Sequence, residues 1–177
     1  LGDYPTSEPQ LQLRLPTERY YEEEGRAELT PRDFGILMHR VFENAATTDE
    51  IYMAIEAMTQ DGVLDEKEAP RLRELVEKAL ADPVTAEWFG GRWQVVRNEN
   101  EIILPGSGTT RRPDRVMTDG ERAVVVDYKF GDRETARHRK QIREYLRLLR
   151  QMGYTRTEGY LWYVRLGRTE RVEEKED

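Results

Sequence analysis

At 177 residues the chain fits one domain, with 36% charged residues against the ~25% of an average domain, and it contains no cysteine. The missing cysteine excludes disulfides, cysteine-ligated zinc and any iron–sulfur cluster held by this chain, and no apolar run approaches the roughly 20 residues of a membrane span. The net charge of −7 is unevenly divided: residues 111–168 hold 15 Lys/Arg against 8 Asp/Glu, the remainder 13 against 27, so one half is basic and suits a polyanionic substrate.

No signal peptide is visible, and the opening at Leu1 without an initiator Met reads as a fragment of a longer protein. Residues 1–30 form a polar N-terminal arm carrying Pro5, Pro9 and Pro16, with one short edge strand expected at Leu11, Leu13 and Leu15. Thr30-Pro31 then opens a helix, with Thr as cap, Pro at the first position and Asp33 in the first turn. Phe34, Leu37, Met38, Val41, Phe42 and Ala45 make its apolar stripe. His39 falls on the flank of that stripe, one turn after Gly35, where the missing side chain leaves the imidazole uncrowded. Residues 48–90 read as three helices, with Thr48 and Asp49 as a cap, a break at Asp61-Gly62 and a short last helix over Pro83–Phe89; they are expected to be a helical insertion. From Arg92 the period shifts towards two. Trp93, Val95 and Val96 begin a strand, and Ile102–Leu104 continues it or pairs with it; Glu99, at its end, is a further candidate carboxylate. Gly106–Thr110 is a loop.

Asp119-Gly120, between the runs Arg115–Met117 and Ala123–Val126, signals a hairpin. An even-residue turn sets Asp114 across from Val125, makes Asp127 its diagonal neighbour and leaves Lys129 on the same face, one strand step beyond. Two carboxylates and a lysine at a hairpin's end form a hard-cation site with room for a phosphate. Val124-Val125-Val126 is the continuous apolar run of a strand covered on both faces, where terminal charges need a reason. A helix follows from Glu134 to Met152, burying Ile142, Leu146, Leu149 and Met152 and carrying Arg137, Arg139, Lys140, Arg143, Arg147 and Arg150. His138, Gln141 and Tyr145 line up along it, a set suited to phosphate contacts. Gly153 ends the helix, Tyr160–Val164 is a strand, and 169–177 is a frayed acidic tail. Taken singly, each piece also fits a bland role: a surface hairpin, a partly exposed helical histidine, a soluble amphipathic helix.

Their order changes that. Gly35–His39, Pro113-Asp114, Asp127-Tyr128-Lys129 and Gln141–Tyr145 together resemble the RecB/AddA-type nuclease domain of the PD-(D/E)xK superfamily. The resemblance implies an α/β, restriction-endonuclease-like core over 31–168: a mixed central sheet flanked by helices in α-β-β-β-α-β order, interrupted by the helical insertion at about 48–90. It implies Mg²⁺ or Mn²⁺, two ions per site, held by His39, Asp114, Asp127 and the backbone carbonyl of Tyr128, with two-metal phosphodiester hydrolysis as the reaction. Asp114, Asp127 and Lys129 are then the catalytic set, with Lys129 at the attacking water or the scissile phosphate. Gln141, Tyr145, His138, Arg137 and Lys140 line the site wall or contact DNA.

The cysteine-free chain cannot carry the iron–sulfur staple of some relatives, which sets it nearer the RecB/AddA branch. The implied whole is a DNA-repair helicase–nuclease of the bacterial cytoplasm, acting as an exonuclease on single-stranded DNA at double-strand breaks. Its UvrD/Rep-like helicase domain would lie in the same longer chain, since no G-x-x-x-x-G-K-[ST] loop is present here, and a second helicase–nuclease subunit is a further partner. Two other readings use the same residues: a non-catalytic DNA-binding module, and an interaction domain docking through its acidic half. Polarity, exo- or endonuclease action, DNA or RNA, and metal preference are not encoded in the core.

Overall fold

Val124, Val125 and Val126 have no solvent exposure at all, because the strand that carries them is covered on both faces. The computed structural model describes residues 30–99, 102–103, 110–131 and 136–174. Four helices come first: α1 (Pro31–Glu43), α2 (Thr48–Gln60), α3 (Ala69–Ala79) and α4 (Pro83–Trp88). Strands β1 (Val95–Asn98), β2 (Ile102–Ile103), β3 (Thr110–Arg111), β4 (Arg115–Asp119) and β5 (Arg122–Lys129) follow, then α5 (Ala136–Gln151), β6 (Arg156–Tyr163) and β7 (Arg168–Arg171). The main sheet runs β1-β4-β5-β6-β7, and only the β5–β6 pair is parallel, joined through α5. This is a mixed sheet flanked by helices, the expected restriction-endonuclease-like core.

Side-chain alternation sorts the sheet into two cores. Met117, Val124, Val126, Tyr128 and Trp162 face α1–α4, whereas Val116, Ala123, Val125, Leu161 and Tyr163 face α5. The helices read as an insertion therefore share one core with the sheet: Ile51, Ile55, Leu72 and Val76 are fully buried in it. All six residues of the α1 stripe are buried as well. Phe42 anchors that helix to the sheet, its ring 4.9 Å from Trp162 and 5.6 Å from Tyr128. On the opposite face α5 sits very close to β6. A Cβ added at Gly159 would lie 2.4 Å from Ile142 Cγ2 and 3.2 Å from Leu146. Gly159→Ala is therefore expected to destabilise the domain by about 1–3 kcal/mol through overpacking. Denaturant unfolding checks this, and an unchanged midpoint would contradict the close approach.

Several expectations are corrected. The hairpin turn is Gly120-Glu121, with Asp119 paired to Arg122 and Gly120 at φ 56°. Glycine supplies the positive φ at the first central position, which moves the register by two residues, keeps every side chain on its face and sets Asp114 opposite Asp127 rather than Val125. Ile102–Ile103 neither extends nor pairs with β1; it forms a separate ribbon with Thr110–Arg111, so Thr110 belongs to a strand. The cap of α2 is Thr47, whose side chain accepts from the Glu50 N–H. Trp93 precedes its strand and donates from Nε1 to the Glu87 carbonyl at 3.0 Å. Met152 is exposed, one residue beyond α5.

Residues 168–174 are no frayed tail. Arg168–Arg171 is an edge strand on β6, Val172 is buried, and the Val172 N–H donates to the Gly159 carbonyl at 2.8 Å. The expected strand within 1–29, Leu104, the loop at 106–109, the helix start at Glu134 and residues 175–177 lie outside the described residues. Among the described residues no helix is long and apolar enough to cross a membrane.

Candidate metal centre

Three elements converge where β4 begins. His39 comes from the third turn of α1, a helix started by a reciprocal cap: the Asp33 N–H donates to Thr30 Oγ1 at 3.2 Å and the Thr30 N–H to Asp33 Oδ2 at 2.9 Å. Glu99 follows the last residue of β1, and its N–H donates to the Asp114 carbonyl at 3.0 Å, continuing the β1–β4 ladder. Asp114 directly precedes β4. His39 Nε2 lies 3.0 Å from Glu99 Oε1 and 3.6 Å from Asp114 Oδ1. One ligand atom from each of the three residues falls within 4.8 Å of the others. Glu99 holds φ 47°, a left-handed backbone that costs a glutamate on the order of 1–3 kcal/mol.

Gly35 contributes differently from expectation. An added Cβ would meet Phe130 Cβ at 3.1 Å, so the glycine makes room for Phe130 and not directly for the imidazole. The Phe130 ring then meets His39 edge to face, with centroids 5.9 Å apart.

Asp114 divides its carboxylate. Oδ1 turns towards His39, and Oδ2 accepts the Tyr128 N–H at 2.5 Å. Asp127, opposite it and almost fully buried, is not in the three-residue group; its carboxylate is ion-paired with Lys129 Nζ. Burial pushes the Asp127 carboxyl up, and the neighbouring Asp114 charge adds to this, against the opposing pull of Lys129. The two neighbouring carboxylates concentrate negative charge at the end of the strand pair, which favours a bound cation. Tyr128 meets the site through its N–H, while its ring is buried between Phe42 and Trp162.

The α5 residues are set further along the same face. Gln141 Nε2 donates to the Tyr145 hydroxyl at 3.0 Å, and Tyr145 is buried in the α5 core. His138 is half-buried; burial pushes its imidazole down, and Lys129, Arg137 and Arg139 add to this. Arg137 and Lys140 are exposed. Other α5 cations are engaged by the C-terminal segment: Arg139 pairs with Glu170, Arg143 Nε donates to the Glu173 carbonyl at 3.2 Å, and Arg150 lies 2.9 Å from Glu174. The basic face offered to a polyanion is thus narrower than the composition suggested.

Three residues of this region were not singled out from the sequence. Arg112 pairs with the free side of the Glu99 carboxylate. Arg115, fully buried, and the half-buried Asn98 are joined at 3.1 Å beside the three ligands.

An imidazole nitrogen with carboxylate oxygens suits a hard divalent cation of the Mg²⁺ or Mn²⁺ type. The Asp114 carboxylate 3.6 Å away holds the His39 pKa above its ordinary 6.5, with the Glu99 and Glu43 charges adding and partial burial opposing. Protonated His39 therefore stabilises the folded, metal-free domain. That contribution is fully present below pH 6.5 and is lost as pH rises through the higher folded-state value. The melting temperature measured in EDTA is expected to fall across that window, and His39→Gln to flatten the profile. A wild-type profile indistinguishable from that of His39→Gln would contradict the contact.

A family model described as the PD-(D/E)XK nuclease superfamily matches residues 10–177 of the chain. No curated protein matches it.

Proposed function

Because the chain belongs to the PD-(D/E)XK nuclease superfamily, whose members are metal-dependent nucleases, we propose that it is a deoxyribonuclease working at the corner formed by His39, Glu99 and Asp114. The observation that carries this reading is the convergence of those three side chains beside the buried Asp127 and its ion-pair partner Lys129. His39, Asp114 and Asp127 would hold Mg²⁺ or Mn²⁺, two ions per site, with Glu99 as an added carboxylate and the Tyr128 carbonyl as a main-chain ligand. When bound, the cation supplies a Lewis acid at the phosphate and makes water a usable nucleophile near neutral pH.

The chain's own groups do the remaining work. Asp114 and Asp127 orient the reacting centre from two adjacent strands whose register is set by the ladder, so their separation does not depend on loops. Lys129 has its ammonium at Asp127, within reach of a phosphate placed there. It positions or helps deprotonate the attacking water, or neutralises charge building on phosphorus. Gln141, His138, Arg137 and Lys140 receive the flanking strand from α5, and the buried Tyr145 hydroxyl holds the Gln141 amide in place. The substrate is single-stranded DNA degraded from an end. The setting is double-strand-break repair by a bacterial cytoplasmic helicase–nuclease, whose helicase domain lies elsewhere in a longer chain beside a second subunit.

The test is incubation of the purified chain with end-labelled single-stranded DNA, duplex DNA and RNA, in Mg²⁺, Mn²⁺ or EDTA. Metal-dependent shortening of single-stranded DNA is expected. Binding without cleavage in either metal would overturn the enzyme reading in favour of a DNA-binding module.

A further inference from the structure

Arg115 is fully buried, and among the described residues no carboxylate is one of its hydrogen-bond partners. Nη1 donates to the Ala45 carbonyl at 2.6 Å and to Asn98 Oδ1 at 3.1 Å; Nη2 donates to the Ala46 carbonyl at 2.8 Å and the Trp88 carbonyl at 2.7 Å. Its guanidinium carbon sits 4.0 Å from the centre of the Phe89 ring. Asn98 closes the arrangement by donating from Nδ2 to the same Ala45 carbonyl at 3.2 Å. Of the carbonyl acceptors, Ala45 and Ala46 lie in the link between α1 and the cap of α2, and Trp88 is the last residue of α4, where a helix carbonyl lacks an intrahelical partner. A planar fork of donors satisfies them together, which an ammonium cannot.

Burying a guanidinium for packing alone is a poor bargain, since an apolar side chain of similar volume stabilises a core as well or better. What the arginine joins is more specific. Ala45 and Ala46 follow the helix that carries His39. Asn98 immediately precedes Glu99, and Arg115 itself immediately follows Asp114. Each of the three side chains in the corner adjoins one of the segments that this guanidinium ties together, with α4 as the fourth.

We propose that Arg115 is a positioning residue that sets the spacing of His39, Glu99 and Asp114 by strapping the end of α1 and the end of β1 to β4. The inference rests on the reading of that corner as a metal site. It assigns Arg115 no contact with cation or substrate. Lysine at this position keeps the charge but cannot span acceptors on three segments, so the ligands separate while the fold survives. Asn98→Ala removes one acceptor of the strap and leaves the arginine in place.

The experiment is Mn²⁺ titration calorimetry on the full chain, with thermal unfolding recorded alongside, for wild type, Arg115→Lys, Asn98→Ala and Leu72→Ala. Leu72, fully buried on α3 and apart from the hydrogen bonds of Arg115, serves as the stability control. At a temperature where each variant is folded, Arg115→Lys is expected to bind Mn²⁺ about tenfold more weakly, as loss of a group behind a ligand set does. Asn98→Ala is expected to weaken it a few-fold, while Leu72→Ala melts lower with unchanged affinity. Folded Arg115→Lys binding like wild type would overturn the proposal, as would Leu72→Ala weakening Mn²⁺ equally. If Arg115→Lys does not fold, Asn98→Ala decides, and wild-type affinity there overturns the strap. Wild type that binds no Mn²⁺ would instead overturn the metal-site reading, and this proposal with it.

Discussion

Lys129→Ala is expected to lower DNA cleavage by about 10²–10⁴-fold, the range a positioned proton-transfer or charge-stabilising group contributes, while leaving Mn²⁺ affinity intact or slightly raised. The two effects separate because the ammonium pairs with Asp127 and is not itself a ligand. Removing it leaves the buried Asp127 without its ammonium partner and still beside the Asp114 charge, which favours an added metal ion. Single-turnover cleavage with saturating Mn²⁺, beside calorimetric titration, reads both quantities. Cleavage within tenfold of wild type would remove Lys129 from the reaction. Loss of Mn²⁺ affinity would mean that the lysine shapes the site instead of acting in it.

Asp114→Ala is expected to abolish both. Its carboxylate supplies an oxygen to the His39–Glu99 corner and the acceptor for the Tyr128 N–H, linking the candidate ligands to the strand that carries Asp127 and Lys129. Without it the corner keeps two ligands, His39 and Glu99, and β5 loses a main-chain anchor. Cleavage should fall by at least about 10³-fold, some 4 kcal/mol of transition-state stabilisation, and Mn²⁺ affinity should fall with it. Asp114→Ala that retained tight Mn²⁺ binding would place the metal elsewhere, and the account of the corner would fail. The contrast between the two variants matters more than either alone, since one separates binding from chemistry and the other does not.

What could be read from the sequence was whatever local physics decides. Thr30-Pro31-x-Asp33 announces a helix start by itself, and the α1 stripe predicts which side chains the core takes. Val124–Val126 reported a central strand, and face parity kept Asp114, Asp127 and Lys129 together even though the turn was misplaced. The shift arose because Asp-Gly offers glycine at either of two turn positions, and both keep the apolar pattern intact. β7 escaped notice for a related reason. Its Arg-Thr-Glu-Arg has no apolar alternation, and its order comes from the main-chain ladder with β6 and from Arg139–Glu170.

Glu99 and Arg115 show where sequence reading stops. Glu99 reaches His39 because β1 pairs with β4, bringing residues 99 and 114 together, and no spacing within the chain reports that. Arg115 looks like an ordinary strand charge until the α1–α2 link and the end of α4 bring backbone carbonyls against it. Both are products of tertiary packing, and both lie at the site that the local signals had only outlined.

The most direct test is to locate the ion. Crystals of the chain soaked in Mn²⁺, with anomalous differences measured, should show a peak bonded to His39 Nε2 and to oxygens of Asp114 and Glu99, with Asp127 turned from Lys129 towards it or towards a second peak. A peak remote from these residues, or none at saturating Mn²⁺, would contradict the assignment of the corner as the metal centre.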